Sequence, residues 1–307
     1  MVIYLKTMSY YTLPTICNND KLKDSIIYEK SLPDNIKSNI NKTLSTYLTQ
    51  AKNQIDSKQC DWDKYKKFTN PYEYIHTNIP LKNYCVASYS PLSRSYFKMI
   101  EVLHTFKIHD VPKDIRSFHL AEGPGGFIEA LCNTRKNPRD TYYGMTIASD
   151  MNDPNVPGWK KTKNYLQQNK NIYLEYGSDN SGDILNIDNF VYVCEKYGSS
   201  MDIVTGDGGF DFSGDFNLQE VNISNLLFAQ VAFAVCLQRR GGCFVLKIFD
   251  SFMQHTIDLL YILCSFYEKV YIMKPHTSRY ANSEKYIICK GFYHSSNQRF
   301  FGILHRA

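Results

Sequence analysis

The 307-residue sequence predicts a doubly wound, mostly parallel α/β domain preceded by a partly helical N-terminal extension. Three observations carry that prediction. From Arg116 onward, short β-rich runs alternate with stretches of helical period, the pattern of crossover connections and a sheet covered on both faces. Hydrophobic residues make up 43% of the chain, enough to fill such a core. Three predicted strands end in glycine-flanked or charged tips, and ligands of doubly wound sheets bind at strand tips.

The elements follow in order. Residues 36–58 place Ile36, Ile40, Leu44, Leu48, Ala51 and Ile55 at spacings of three and four, an amphipathic helix suited to packing on a neighbouring domain. Residues 60–92 show no steady period and read as loop, and a second helix follows over Ser93–Phe106. RSFHLAEG, TYYGMTIAS, NIYLEYG and MDIVTGDGG are then strands, separated by helical GFIEALCNTR, GWKKTKNYLQQ and NIDNFVYVCEKYG. A long helix from Asn217 to about Arg240 leads to the strand CFVLKIFD; a helix near 252–266, then KVYIMKP and KYIICKGFY, complete the domain. The expected boundary separates an accessory region, 1–89, from a domain over 90–307.

Charge is unevenly placed. Residues 1–110 carry fifteen Lys and Arg against ten Asp and Glu, and the rest carry twenty of each, so the net +5 sits in the N-terminal third. With 24 Tyr and 18 Phe, that surface suits a polyanion whose bases can stack, although an ordinary solvated face gives the same count. Nine cysteines without a CxxC pair point to free thiols in a reducing compartment, and the histidine spacing implies no zinc site. MVIYLKTMSYYTLP lacks the apolar stretch of a signal peptide, and Asn225–Leu237 is far short of the ~20 residues of a membrane span. The expectation is a soluble intracellular protein without a membrane partner, cytoplasmic rather than nuclear.

The strand tips hold the chemistry. In LAEGPGGF (120–127) the glycines allow a tight turn and expose the N–H groups that open the following helix; a ligand-free turn would use them too. Asp207 in VTGDGGF ends an apolar strand, where it either caps a turn or faces a ligand. Lys247 in CFVLKIFD stands among apolar neighbours, so its amine must meet a carboxylate, reach solvent or lose its proton. The nicotinamide GxGxxG fingerprint is missing, which argues against a dehydrogenase.

Taken together, SRSYFKM (93–99), LAEGPGGF (120–127), DIVTGDGGF (202–210), GGCFVLKIF (241–249) and KPHTSRYANSEKYIICKGF (274–292) resemble, in order, the FtsJ-like RNA ribose 2′-O-methyltransferases. The wording of GPGGF, YGMT, DGGF and NLQE is most similar to the eukaryotic and viral enzymes acting on the first transcribed nucleotide of capped mRNA. The resemblance implies a Rossmann-like methyltransferase fold with an antiparallel last strand, S-adenosylmethionine as cofactor and RNA as substrate. Other capping or transcription proteins are implied as partners.

It also implies a Lys-Asp-Lys-Glu catalytic tetrad, which falls on Lys98, Asp207, Lys247 and Glu284. Alone, Lys98 reads as a solvated charge and Glu284 as a surface carboxylate; the joint pattern makes the case. For the cofactor, the resemblance assigns Gly123, Gly125, Gly126 and Phe127 to the methionine and ribose portion, Asp183 to the adenine and Asp207 to the neighbourhood of the methyl group, with Glu122 and Pro124 of the same turn as further cofactor-binding residues. The second strand ends without an acid for the ribose, leaving Thr146 as its neighbour, and Trp159 reads as packing. Burial and the charge of Lys98 favour a neutral Lys247, Asp207 and Glu284 favour the ammonium, and the expected role is to orient the ribose hydroxyl and take its proton. An rRNA or tRNA methyltransferase and a non-catalytic RNA-binding subunit are the rival readings.

Overall fold

The computed structural model describes residues 10–16, 40–58, 61–62, 65, 68–148, 158–209, 218–295 and 298–306. Eight strands form one sheet: β1 (Tyr10–Thr12), β2 (Arg116–Leu120), β3 (Thr141–Met145), β4 (Ile172–Glu175), β5 (Met201–Gly206), β6 (Gln238–Ile248), β7 (Tyr267–Met273) and β8 (Lys285–Phe292). Their order across the sheet is β1-β7-β8-β6-β5-β2-β3-β4. The strands from β6 to β4 run parallel, whereas β8 is antiparallel to both β6 and β7, and β1 adds antiparallel to β7.

Among the described residues the helices are α1 (Lys42–Asp56), α2 (Ser95–Phe106), α3 (Gly126–Arg135), α4 (Lys163–Gln168), α5 (Ile187–Tyr197), α6 (Gln219–Asn222), α7 (Ser224–Leu237), α8 (Gln254–Phe266) and α9 (Gln298–Arg306). A short 3-10 helix, Pro71–Ile75, precedes α2. None of these helices is long and apolar enough to cross a membrane.

Two apolar layers sandwich the sheet, and strand alternation assigns residues to them. Val204, Phe244, Leu246, Ile287 and Cys289 enter the layer under α5, α7, α8 and α9. Ile203, Val245, Tyr286 and Ile288 enter the opposite layer with Met99, Val102 and Leu103 of α2 and Phe127 and Leu131 of α3. Each fully buried large side chain contributes roughly 1.5–3 kcal/mol by leaving water. The same alternation puts Lys247, two residues after Val245, on the face covered by α2 and α3. Its depth in an apolar run is thereby explained.

Several boundaries differ from the sequence reading. The helix expected over 36–58 begins at Lys42, because Asn41 adopts a left-handed N-cap and accepts the Leu44 N–H; residues 36–39 lie outside the described ones. Leu44 is exposed, so the buried face of α1 is narrower than its apolar spacing. The single helix expected from Asn217 to about Arg240 is α6 and α7, and Gln238 is already extended and paired with Met201. Left-handed Gly241, φ 78, follows where a helix could not continue. β1 carries no period long enough to be read from sequence, and its three residues are set by pairing with Tyr271–Met273.

Candidate active site

Connections leave β2 toward β3 on one side and reach β5 on the other, so the crevice opens where the tips of β2 and β5 lie side by side. After β2 the chain turns through Ala121, φ 52, and Gly125, φ 108, with the Gly125 N–H donating to the Glu122 carbonyl at 2.7 Å. α3 then starts without a capping side chain of its own. Glu122 fills that role, since its Oε1 accepts the Phe127 N–H at 2.5 Å. Its Oε2 is buried and has no partner among the described residues. Burial first, then the charge of Asp207, push the Glu122 carboxyl well above its usual range, against the Phe127 and Ile128 N–H groups and Lys247.

Gly123 and Gly126 of this turn are closely packed. A Cβ on Gly123 would stand 2.7 Å from the Gly158 carbonyl oxygen and 3.1 Å from Thr146 Cγ2. One on Gly126 would stand 2.2 Å from Ser95 Oγ, at the start of α2. Thr146, past the end of β3, also meets the loop after β4: a Cβ on Gly182, φ +66, would come within 1.9 Å of the Thr146 carbonyl oxygen. Asp183 follows, half-buried, with Oδ1 accepting the Leu185 N–H at 2.9 Å. The structure therefore brings the turn 122–127, Thr146 and Asp183 to one side of the crevice. Trp159 packs on Gly144, whose Cβ would meet its ring at 2.7 Å, as the packing reading expects.

Across the crevice, Asp207 and Lys247 meet directly. Lys247 Nζ donates to the Asp207 carbonyl at 2.7 Å and lies 3.3 Å from its carboxylate Oδ1. Tyr286, paired with Lys247 across the β6/β8 ladder, donates its hydroxyl to the same Oδ1 at 3.1 Å. The half-buried lysine thus has a carboxylate, one of the three outcomes its sequence context allowed.

Lys98 and Glu284 form the second pair. Lys98 lies on the buried face of α2, and its Nζ stands 2.6 Å from Glu284 Oε1 and 2.8 Å from Oε2. Antiparallel β8 explains the meeting, because a strand running backward starts at the edge where its parallel neighbours end, and Glu284 immediately precedes it. Burial raises the Glu284 pKa, but Lys98 and Lys247, with hydrogen bonds from Lys98 and Ser278, outweigh it and bring the group to about 2. Because Lys247 is felt at Glu284, the two pairs are one electrostatic unit. All four predicted catalytic residues converge there.

Sequence reasoning missed the residues that hold this unit. Gln230, fully buried in apolar α7, accepts the Gly208 N–H at 3.0 Å and donates to Leu226 O at 3.0 Å, fixing the tip of β5. Glu220 of NLQE accepts the Phe252 and Met253 N–H groups, each at 2.9 Å, and fixes the chain after β6. Ser278 donates to Glu284 Oε1 at 2.9 Å, and Lys274 ties the loop's ends through Glu284 O at 2.9 Å. Burial lowers the Lys274 pKa to about 8, against the pull of Glu284. Gln230 carried a sequence signal as an amide in the middle of an apolar helix, and Glu220, Lys274 and Ser278 lie within the stretches NLQE and 274–292 that carry the resemblance.

The Asp207 carboxylate beside the glycine turn suits a ligand that carries positive charge. S-adenosylmethionine, with its ammonium and sulfonium, has that character. The sequence matches the model of the FtsJ-like methyltransferases over residues 91–292. It is 31% identical over 261 residues to cap-specific mRNA (nucleoside-2′-O-)-methyltransferase 2 of Danio rerio, covering 81% of this chain and 34% of that protein. The corresponding protein of Pongo abelii is 30% identical over 259 residues, 80% of this chain and 33% of its own length. Cap-specific mRNA (nucleoside-2′-O-)-methyltransferase 1 of Danio rerio is 30% identical over 301 residues, 91% of this chain and 34% of its own. The chain spans about a third of the length of these relatives. With the motifs, the crevice and the match in agreement, the chain belongs to the FtsJ-like methyltransferase family, with S-adenosylmethionine as its methyl donor.

Proposed function

We propose that the chain methylates a ribose 2′-hydroxyl of RNA, that of the first transcribed nucleotide of capped mRNA, through Lys98, Asp207, Lys247 and Glu284. The observation that carries this reading is the pairing of Lys98 with Glu284 and of Lys247 with Asp207 beside the glycine turn. Similarity to cap-specific enzymes over four-fifths or more of the chain supports the choice of RNA. Residues 90–307 carry the chemistry and 1–89 form the accessory region.

S-adenosylmethionine supplies a methyl group already activated by a sulfonium, so the difficult partner is the hydroxyl. Glu122, Gly123, Pro124, Gly125, Gly126, Phe127, Thr146 and Asp183 hold the cofactor. As the free amine, Lys247 orients the ribose hydroxyl and accepts its proton at Nζ as the carbon–oxygen bond forms. Asp207 anchors Lys247 through its carbonyl and its carboxylate. Glu284 holds Lys98, and both Glu284 and Lys98 set the field at Lys247. General-base assistance of this kind contributes on the order of 10²–10⁴ in rate.

The test is methyl transfer from labelled cofactor to matched short RNAs ending in triphosphate, unmethylated cap or N7-methylated cap, with nuclease mapping of the product. Label on the first ribose of capped RNA alone is the expected result. Equal labelling of uncapped RNA would overturn the cap assignment. No labelling of any RNA by protein that binds the cofactor would overturn the enzymatic reading.

A further inference from the structure

The tetrad is stapled from outside the domain that carries it, by a buried polar cluster between Pro71–Ile75 and the loop 274–284. That loop joins β7 to β8 without regular structure, yet it presents Glu284 to Lys98. One side of it rests on α2, where Glu101 accepts the His276 and Thr277 N–H groups at 2.8 Å each. The other side rests on the N-terminal segment. Asn70, fully buried, donates to the carbonyls of Ser278 at 3.0 Å and His276 at 3.2 Å.

Glu73 is the centre of this cluster. Its carboxylate is fully buried and receives Arg279 in a fork, at 2.7 and 3.1 Å. Arg94 approaches the same carboxylate at 3.5 Å and Thr77 donates to it at 3.3 Å. Burial raises the Glu73 pKa, but Arg279, Arg94 and His76 outweigh it and the group is held below its usual range. Burial and Arg94 lower the His76 pKa, and Glu73 faces the two arginines at 2.7 and 3.5 Å.

The placement of those arginines gives the cluster its meaning. Arg94 is the N-cap residue of α2, four positions before Lys98, and Arg279 lies five positions before Glu284. One buried carboxylate therefore joins the element bearing Lys98 to the element bearing Glu284. Burial, then the like charge of Arg279, lower the Arg94 pKa, so the two cations act on each other. Without the carboxylate they would push α2 and the loop apart where the tetrad pair must meet.

We propose that Glu73, with Asn70, is a positioning residue for methyl transfer, clamping the loop 274–284 to α2 so that Glu284 holds Lys98. The catalytic half of the proposal rests on the methyltransferase reading above. A misplacement of about 1 Å at such a distance from the chemistry is enough to cost on the order of 10²-fold in rate.

The experiment compares wild type, Glu73→Gln and the double variant Glu73→Gln/Arg279→Gln. Three readouts are used: the ¹H–¹⁵N signal of the Lys98 ammonium, assigned with Lys98→Arg; kcat and KM on capped RNA; and cofactor Kd and Tm. Glu73→Gln is expected to lose the Lys98 signal to solvent exchange and to lower kcat by roughly tenfold or more with cofactor Kd unchanged. Removing Arg279 in that background should restore the signal and most of kcat, because it removes the repulsion. A retained Lys98 signal with wild-type kcat in Glu73→Gln would overturn the proposal, as would a double variant worse than the single one. If wild type transfers no methyl group, the function fails while the Lys98 signal still decides the clamp. Should Glu73→Gln not fold, Glu73→Asp keeps the charge and withdraws it by one methylene. A weakened Lys98 signal then supports the clamp, and a full one overturns it.

Discussion

Lys98 and Glu284 are 186 residues apart in sequence and 2.6 Å apart in space, with less than a tenth of either side chain exposed. Burying one member alone would be costly, and burying both is tolerable because each satisfies the other and Ser278 takes part of the remaining hydrogen-bonding capacity. Removing either partner therefore does more than delete a contact.

Glu284→Gln is expected to lower stability by roughly 3 kcal/mol, the scale for breaking a buried pair, and to lower kcat by about 10²-fold or more. The pH dependence has a definite sign. Glu284 has a depressed pKa near 2, against 4.5 ordinarily, so its stabilisation is present above pH 4.5 and lost as pH falls toward 2. Urea titrations of wild type should lose stability over that window, and Glu284→Gln should show a shallower loss.

Lys247→Ala is expected to abolish detectable methyl transfer, a loss of about 10²–10⁴ or more, with cofactor affinity nearly unchanged. Single-turnover assays and calorimetric titration of cofactor separate the two quantities. Wild-type turnover would show that Lys247 is a partner for Asp207 and nothing else.

Gly126→Ala tests the contact between the cofactor turn and α2. The new methyl would overlap Ser95 Oγ and Ser93 Oγ, at 2.2 and 2.4 Å, and push the first turn of the helix that carries Lys98. Overpacking of this kind costs about 1–3 kcal/mol. Thermal melting should show that loss, and methyl transfer should fall together with cofactor affinity.

Glu122→Gln should separate stability from binding. The raised pKa of Glu122 means that its stabilisation is complete below pH 4.5 and is lost as pH rises through the folded-state value. The neutral amide has no such loss. Melting of the cofactor-free variant should therefore gain on wild type as pH rises, while calorimetry shows weaker binding of S-adenosylmethionine.

Much of the crevice was legible in the chain. Strand tips in a doubly wound sheet lie at one edge, so GPGG, Asp207 and Lys247 could be assigned to a common site from alternation of elements alone, and the motifs added Lys98 and Glu284. The helix limits at 36–58 and 217–240 were misread because apolar spacing does not show where Asn41 or Gln238 leaves helical conformation. Asn70 and Glu73 were invisible, since isolated polar residues in the aperiodic segment 60–92 look like solvated loop.

By itself, then, the order of residues determined the layers and the edge of the sheet that carries the crevice, and the motif resemblance picked out the two lysines and two acids that pair there. Local periodicity and glycine chemistry act within a few residues and are written into the chain directly. Only tertiary structure decided that antiparallel β8 returns Glu284 to Lys98 and that Glu73, from outside the predicted domain, holds Arg94 and Arg279 together. Those outcomes depend on charges brought out of water and into hydrogen-bonding reach across long stretches of sequence, and that proximity exists only once the sheet and its covering helices have formed.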